Sequence, residues 1–134
     1  MKKPDVYVYP AVFSYEPGES EIAVVFPDLN VATSGEDEVD ALHMARELLG
    51  LVMYGLEEDG EDIPTPSHLK DIKASDNEIV ALVDVFMPSV RMAEINRSVN
   101  RTVTLPAWLN ALAIEKGVNF SAVLQEGLKA HLGV

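Results

Sequence analysis

Along this chain the spacing of hydrophobic residues changes period several times, and each change marks an element. Residues 5–15, DVYVYPAVFSY, are rich in Val, Tyr and Phe and predict a strand. Pro10 lacks a ladder donor, which predicts that this strand runs at an edge or bends there. Glu16-Pro17-Gly18-Glu19-Ser20 is turn chemistry, and EIAVVF over 21–26 predicts a second strand that closes a hairpin. Pro27-Asp28-Leu29-Asn30 breaks it, and Val31-Ala32-Thr33 gives a short third strand. The period then becomes helical. Val39, Leu42, Ala45, Leu49, Val52, Met53 and Leu56 recur at three- and four-residue steps, predicting an amphipathic helix over 36–59. Ser34 or Asp37 is its candidate cap, and Glu36-Asp37-Glu38 suits the positive end of the helix dipole. Gly50 and Gly55 each cost about 1 kcal/mol of helix propensity, which predicts close packing of the helix on the sheet.

The run Glu57-Glu58-Asp59-Gly60-Glu61-Asp62 ends that helix, and Ile63-Pro64-Thr65-Pro66-Ser67 is extended and incompatible with a helix. EIVALVDVF over 78–86 predicts a further strand. The order β-β-β-α-β places one helix on a small sheet, an α+β domain over residues 1–90. Met87 to Ser98, mixed and polar with Pro88, reads as connecting sequence, with the linker proper at 91–98.

The period changes once more near the end. In Val99-Asn100-Arg101-Thr102-Val103-Thr104-Leu105-Pro106, Leu105 and Val103 are apolar while Thr104, Thr102 and Asn100 are polar, which is a strand signal. Pro106 suits the first turn of a helix that continues to Lys116 with Trp108, Leu109, Leu112 and Ala113 as its apolar stripe. Gly117 is placed to end it. Ser121 is the expected N-cap of a second helix, stapled by Val118 or Phe120, with Val123, Leu124, Gly127, Leu128 and Leu132 inside. One strand and two short helices are too small to bury a sufficient core, whereas two copies can do so by pairing their strands.

This β-α-α order over 99–134 resembles the ribbon-helix-helix family. The resemblance implies a homodimer whose two-stranded ribbon enters the major groove of operator DNA. Asn100, Thr102 and Thr104 would then face base edges, Asn to adenine and Thr through its hydroxyl or methyl. Backbone N–H groups near Asn119, Phe120 and Ser121 would meet a phosphate. Arg101 falls on an inward position of the pattern and is assigned to a phosphate at the ribbon's end. The competing readings are a hairpin strand with two helices and no DNA role, and a helix-turn-helix. The latter needs a third helix where this sequence alternates as a strand. Trp108 is expected in the dimer core.

Charge sharpens the division. Residues 1–90 carry five basic and nineteen acidic side chains, a net −14, and residues 91–134 carry five and three, a net +2. An acidic part repels nucleic acid and attracts basic partners, so only the C-terminal part suits DNA. The absence of Cys removes disulfides, thiolate zinc sites and a cysteine nucleophile, and agrees with a reducing cytoplasm. The N-terminus has no signal-peptide pattern, and the longest apolar stretch, Leu48 to Leu56, is far short of the roughly 20 residues of a membrane helix. The expectation is a soluble cytoplasmic protein that does not meet the membrane.

Several N-terminal motifs, in order, resemble the HicB family: Tyr9-Pro10-Ala11, Phe26-Pro27-Asp28-Leu29, Thr33-Ser34-Gly35, Ala41-Leu42, Ala45-Arg46-Glu47-Leu48-Leu49 and Ile63-Pro64-Thr65-Pro66-Ser67. With the C-terminal pattern they span nearly the whole chain. The resemblance implies a partial ribonuclease-H-like N-terminal fold and an antitoxin that binds and neutralises HicA, a small basic ribonuclease that cleaves messenger RNA. It also implies repression of the pair's own promoter with the toxin as co-repressor. The helix over 36–59 and its acidic end, with Glu47, Tyr54, Glu57, Glu58 and Asp59, is the expected toxin-facing surface.

No catalysis, metal or cofactor is expected. Asp5, Asp28, Asp84 and Glu47 are the carboxylates a ribonuclease-H site would need, but their spacing does not require convergence. His43, His68 and His131 lack ligand spacing. A ligand-responsive ribbon-helix-helix repressor without a toxin is the alternative.

Overall fold

A computed structural model describes residues 2–134. The chain divides into two compact units, one up to Arg97 and one from Ser98 to Val134.

In the first unit, strands β1 (Val6–Ser14), β2 (Ile22–Phe26), β3 (Val31–Gly35) and β4 (Glu78–Phe86) form one antiparallel sheet in the order β3-β2-β1-β4. Period-2 alternation sends Tyr7, Tyr9, Ala11 and Phe13 of β1, Ile22, Val24 and Phe26 of β2, and Val83 and Val85 of β4 into one core. Helix α1 (Glu38–Asp59) covers that face through Ala41, Ala45, Leu49 and Met53, one residue per turn. The order is the expected β-β-β-α-β.

Pro10 does not put β1 at an edge. β1 is an inner strand, but β2 pairs with it only from Val12 onward, so no ladder bond to β2 is lost at Pro10. The buried stripe of α1 is also rotated from the expected one. Val39 is 81% exposed, and Ala41 takes the inner position instead. A tight junction fixes that rotation: a Cβ on Gly35, at the end of β3, would stand 2.2 Å from the Ala41 nitrogen. Gly50 is a point of close approach, with Val90 Cγ2 3.0 Å and Val85 Cγ2 3.3 Å from where its Cβ would be. Gly55 is not, since nothing lies within 4 Å of the same position there.

Asp37 caps α1, accepting from the Asp40 N–H at 2.8 Å, while the Ser34 hydroxyl is turned to Glu21. Gly60, at φ +64°, closes the other end in a Schellman turn in which the Glu61 N–H reaches the Leu56 carbonyl at 3.1 Å.

The stretch expected to connect the two parts is instead largely a helix, α2 (Met87–Ile95). Pro88 occupies its first turn, where a missing N–H is harmless. Met87 is fully buried and its N–H donates to the Asp5 carbonyl at 2.7 Å. Between α1 and β4 the chain runs through a 3₁₀ turn at Leu69–Asp71.

The second unit holds α3 (Ala107–Glu115) and α4 (Phe120–Leu132). Pro106 immediately precedes α3, and Gly117, at φ +67°, stops it, the Val118 N–H reaching the Ala113 carbonyl. The cap of α4 is Asn119, whose side chain accepts from Ala122 N–H at 3.0 Å, and the expected cap Ser121 lies inside the first turn. Among the described residues, 99–105 carry no strand in this single chain. An extended segment becomes a strand only when another backbone satisfies its N–H and C=O groups.

Candidate functional site

At the C-terminal end of α1 the sequence concentrates carboxylates at the negative end of the helix dipole, with no basic residue in the last turn. The structure divides them into two sets. Glu57 turns inward, its side chain only 2% exposed. Arg91 of α2 grips it with both fork nitrogens, Nε to Oε1 at 3.0 Å and Nη2 to Oε2 at 2.8 Å. The Tyr7 hydroxyl donates to Oε2 at 2.7 Å, and Arg91 also donates to the Pro4 carbonyl at 2.7 Å. The Arg91 hydrogen bonds hold the Glu57 carboxyl below the usual carboxylate range. Burial, and then the bond to Glu57, pushes the Tyr7 hydroxyl up to about 12. Glu57 therefore joins α1, α2 and the start of β1, its carboxylate buried and bonded within this unit.

Glu58 and Asp59 point outward with Glu61 and Asp62 beyond them, all exposed. Lys3 approaches Glu58 at 3.6 Å, whereas among the described residues Asp59, Glu61 and Asp62 make no ion pair. Glu47 lies further up α1, exposed and 3.8 Å from His43, and Tyr54 is half-buried against the core. Of the residues expected to face a toxin, Glu47, Tyr54, Glu58 and Asp59 thus keep accessible surface.

The motifs of strand ends and strap are wired to one another. The Tyr9 hydroxyl donates to the Pro64 carbonyl, and burial raises its pKa. Asp28 accepts from Ser67 twice, from N–H at 3.0 Å and from the hydroxyl at 2.6 Å. Tyr9, Asp28 and the Ile63–Ser67 strap therefore owe their spacing to a fixed crossing of the chain over the sheet. Asp84 is bonded by Arg46, which reaches it from α1 at 3.0 Å. Among the described residues no three of the acidic and histidine side chains gather in metal-binding geometry, and Asp28 and Asp84 serve these separate contacts.

In the second unit Asn100, Arg101, Thr102 and Thr104 lie exposed in the irregular segment before α3, and Ser121 is exposed at the start of α4. The Asn119 side chain is occupied as the cap. Trp108 is 69% exposed, and among the described residues of this unit only Ala113 is even partly buried. The sequence did not reveal Arg91 or Tyr7, since nothing in spacing links positions 7, 57 and 91 before the chain is folded. No helix among the described residues is long and apolar enough to cross a membrane.

Comparison with known proteins extends this picture. A search of the curated proteins gave no match. Among solved structures, the chain is similar to a toxin-antitoxin complex from Streptococcus pneumoniae, at 27% identity and a TM-score of 0.62, covering 94% of this chain and 99% of that one. It shares its fold with the antitoxin HicB of Burkholderia pseudomallei, at 22% identity and a TM-score of 0.52, covering 94% and 96%. The family model for the HicB-like antitoxin of bacterial toxin-antitoxin systems matches residues 9–126, nearly the whole of both units. With that match across sheet, helix and tail, the chain belongs to the HicB-like antitoxin family.

Proposed function

We infer that this antitoxin binds and neutralises a HicA-type, mRNA-cleaving ribonuclease through its first unit and represses its own operon through the second. The observation that carries this reading is how differently the two units are built. Residues 1–97 hold the packed core and carry seven basic against twenty acidic residues, a net −13. Residues 98–134 carry three against two, a net +1, and leave their apolar helix faces exposed. A strongly acidic surface steers a basic, RNA-binding partner and repels DNA. A small unit with its apolar side chains uncovered completes its core with a second copy.

In the proposed dimer, the 99–105 segments pair as an antiparallel ribbon in the major groove. Asn100, Thr102 and Thr104 read bases, and Arg101 and the α4 start at Asn119 and Ser121 contact phosphates. The partial ribonuclease-H-like description of the first unit belongs to this reading, with the fold used for docking and not for catalysis. Glu47, Glu58 and Asp59 present the charge of α1 to the toxin, and Tyr54 presents its ring. The relative in the Streptococcus complex, described as part of a toxin-antitoxin complex, supports a toxin partner. The protein acts in the cytoplasm, where both the messenger RNA and the operator are.

Co-expression with the small basic protein encoded beside this gene tests the reading. The expected result is a stoichiometric complex by light scattering, with the partner toxic when expressed alone. A dimer that binds DNA with no such partner would overturn the toxin half in favour of a free-standing, ligand-responsive repressor.

A further inference from the structure

The sheet has a second face, turned away from α1, and half of it is bare. Side-chain alternation assigns Val6, Val8, Pro10 and Val12 of β1 to this face. The register sets Phe86, Asp84, Leu82 and Val80 of β4 opposite them, and Val25 of β2 opposite Val12. On the β2 side the chain partly covers it, because Ile72 and Lys73 line a groove there with Val12, Val25 and Pro27. Toward the other end Val6, Val8, Leu82 and Phe86 stay exposed, Leu82 at 54% and Phe86 at 57%. A sheet with one solvated face ordinarily carries polar residues there, yet outside the covered part, where Pro10 and Val12 are buried, Val6, Val8, Leu82 and Phe86 are all apolar. Single exposed apolar side chains need no explanation, but a contiguous row calls for a partner. The open part runs from the Val6–Phe86 pair to Leu82, four residue steps or about 13 Å.

Charge selects the occupant. A second copy would bring another net −13 against this unit, whereas a basic partner is drawn to it. Asp84 stands within the strip and Glu78 at its end. The ion pair of Asp84 with Arg46 is more than half exposed on both sides and is open to exchange with an incoming cation.

We propose that this open β1–β4 face is the contact surface for the basic toxin, with Val8, Leu82 and Phe86 as apolar anchors and Asp84 as the charged partner. The proposal rests on the antitoxin reading and deepens it. The acidic end of α1 accelerates and orients the encounter, and the sheet face holds the complex once formed. Steering charges act mainly on association rate and its salt dependence, while desolvated anchors act on dissociation.

The test uses the full-length chain and the small basic ribonuclease encoded beside it. The unmodified chain is titrated first, and if it binds no toxin, the antitoxin reading falls and this proposal with it. The chain has no cysteine, so Leu82→Cys supplies a single thiol for an environment-sensitive fluorophore, with Val39→Cys on α1 as the control position. Toxin is expected to blue-shift the label at 82 and leave the label at 39 unchanged. Leu82→Lys is expected to weaken toxin binding at least tenfold, mainly through faster dissociation, with unchanged circular dichroism. Should that variant fold poorly, Leu82→Thr, which keeps strand propensity, is expected to weaken binding about threefold. Wild-type affinity in a folded Leu82 variant would overturn the proposal, as would a label at 82 that responds to the chain's own concentration and not to toxin, the mark of a second copy on this face.

Discussion

Replacing Glu57 by Ala removes three hydrogen bonds at once, two from Arg91 and one from Tyr7, and leaves the Arg91 guanidinium, among the described residues, with the Pro4 carbonyl. Breaking a buried ion pair from one side costs about 3–5 kcal/mol. The Arg91 side chain keeps 20% exposure, so water relieves part of its isolation and the lower end applies, about 3 kcal/mol. Arg91→Ala strands the more buried partner and is expected to cost at least as much. Glu57→Gln keeps one acceptor oxygen and the shape of the side chain, and is expected to cost about 1–2 kcal/mol. The double variant Glu57→Ala/Arg91→Ala should lose less than the sum of its singles, since the second change removes a charge the first left unpaired. Urea unfolding followed by far-UV circular dichroism measures all four, and comparing midpoints at equal slope keeps the energies commensurate. Singles that each lose under 1 kcal/mol, or a double that is simply additive, would refute the claim that this pair fastens α2 to α1.

The same cluster fixes a pH window. Glu57 is held below its ordinary value of 4.5, so its contribution is complete above that pH and is lost as pH falls through the depressed folded value. Tyr7 is raised from 10.0 to about 12, so its contribution is complete below pH 10 and is lost as pH rises toward 12. Glu57→Ala should flatten the acid limb of the stability curve, and a limb of unchanged steepness would assign it to other carboxylates.

Asp28→Asn leaves one oxygen for the two Ser67 donors, so it should cost about 1 kcal/mol and admit a protease at 63–73, detected by limited proteolysis. Asn100, Thr102 and Thr104 together replaced by Ala should weaken operator binding tenfold or more while leaving its salt slope unchanged, because base contacts release no counterions. Footprinting and titration upstream of the gene check it, and unchanged affinity would sink the ribbon assignment. Trp108, the sole tryptophan and 69% exposed in one chain, should blue-shift as protein concentration drives dimerisation. Emission that stays red through the dimerisation range would place it outside the shared core.

What the sequence determined by itself is whatever depends on neighbours along the chain. β4 appears where EIVALVDVF predicted it, Glu78–Phe86, because β-branched residues bounded by polar sequence leave few alternatives. Gly117 ends α3 because a left-handed residue is needed there and Gly supplies it without a Cβ penalty. The split in charge between the two parts is read by counting. The motif order that resembles the HicB family is equally linear, and the match over residues 9–126 agrees with it.

Tertiary structure decided what depends on residues far apart. Glu57 belongs to the same acidic run as Glu58 and Asp59, but it falls one turn after Met53 on the buried stripe, and what lets a carboxylate stand there is Arg91, 34 positions on, with Tyr7. Met87–Ile95 looked like connecting sequence because Arg91 and Glu94, both charged and both largely covered, break the apolar period. The partner that neutralises Arg91 cannot be seen locally. Ala41 and not Val39 lies in the core because the backbone of α1 at Ala41 comes so close to the end of β3 that Gly35 has no room for a Cβ, which fixes the turn of the helix. The 99–105 segment marks the limit of both. Its alternation is legible in the sequence, but among the described residues of one chain it carries no strand, since a strand exists only where another backbone pairs with it.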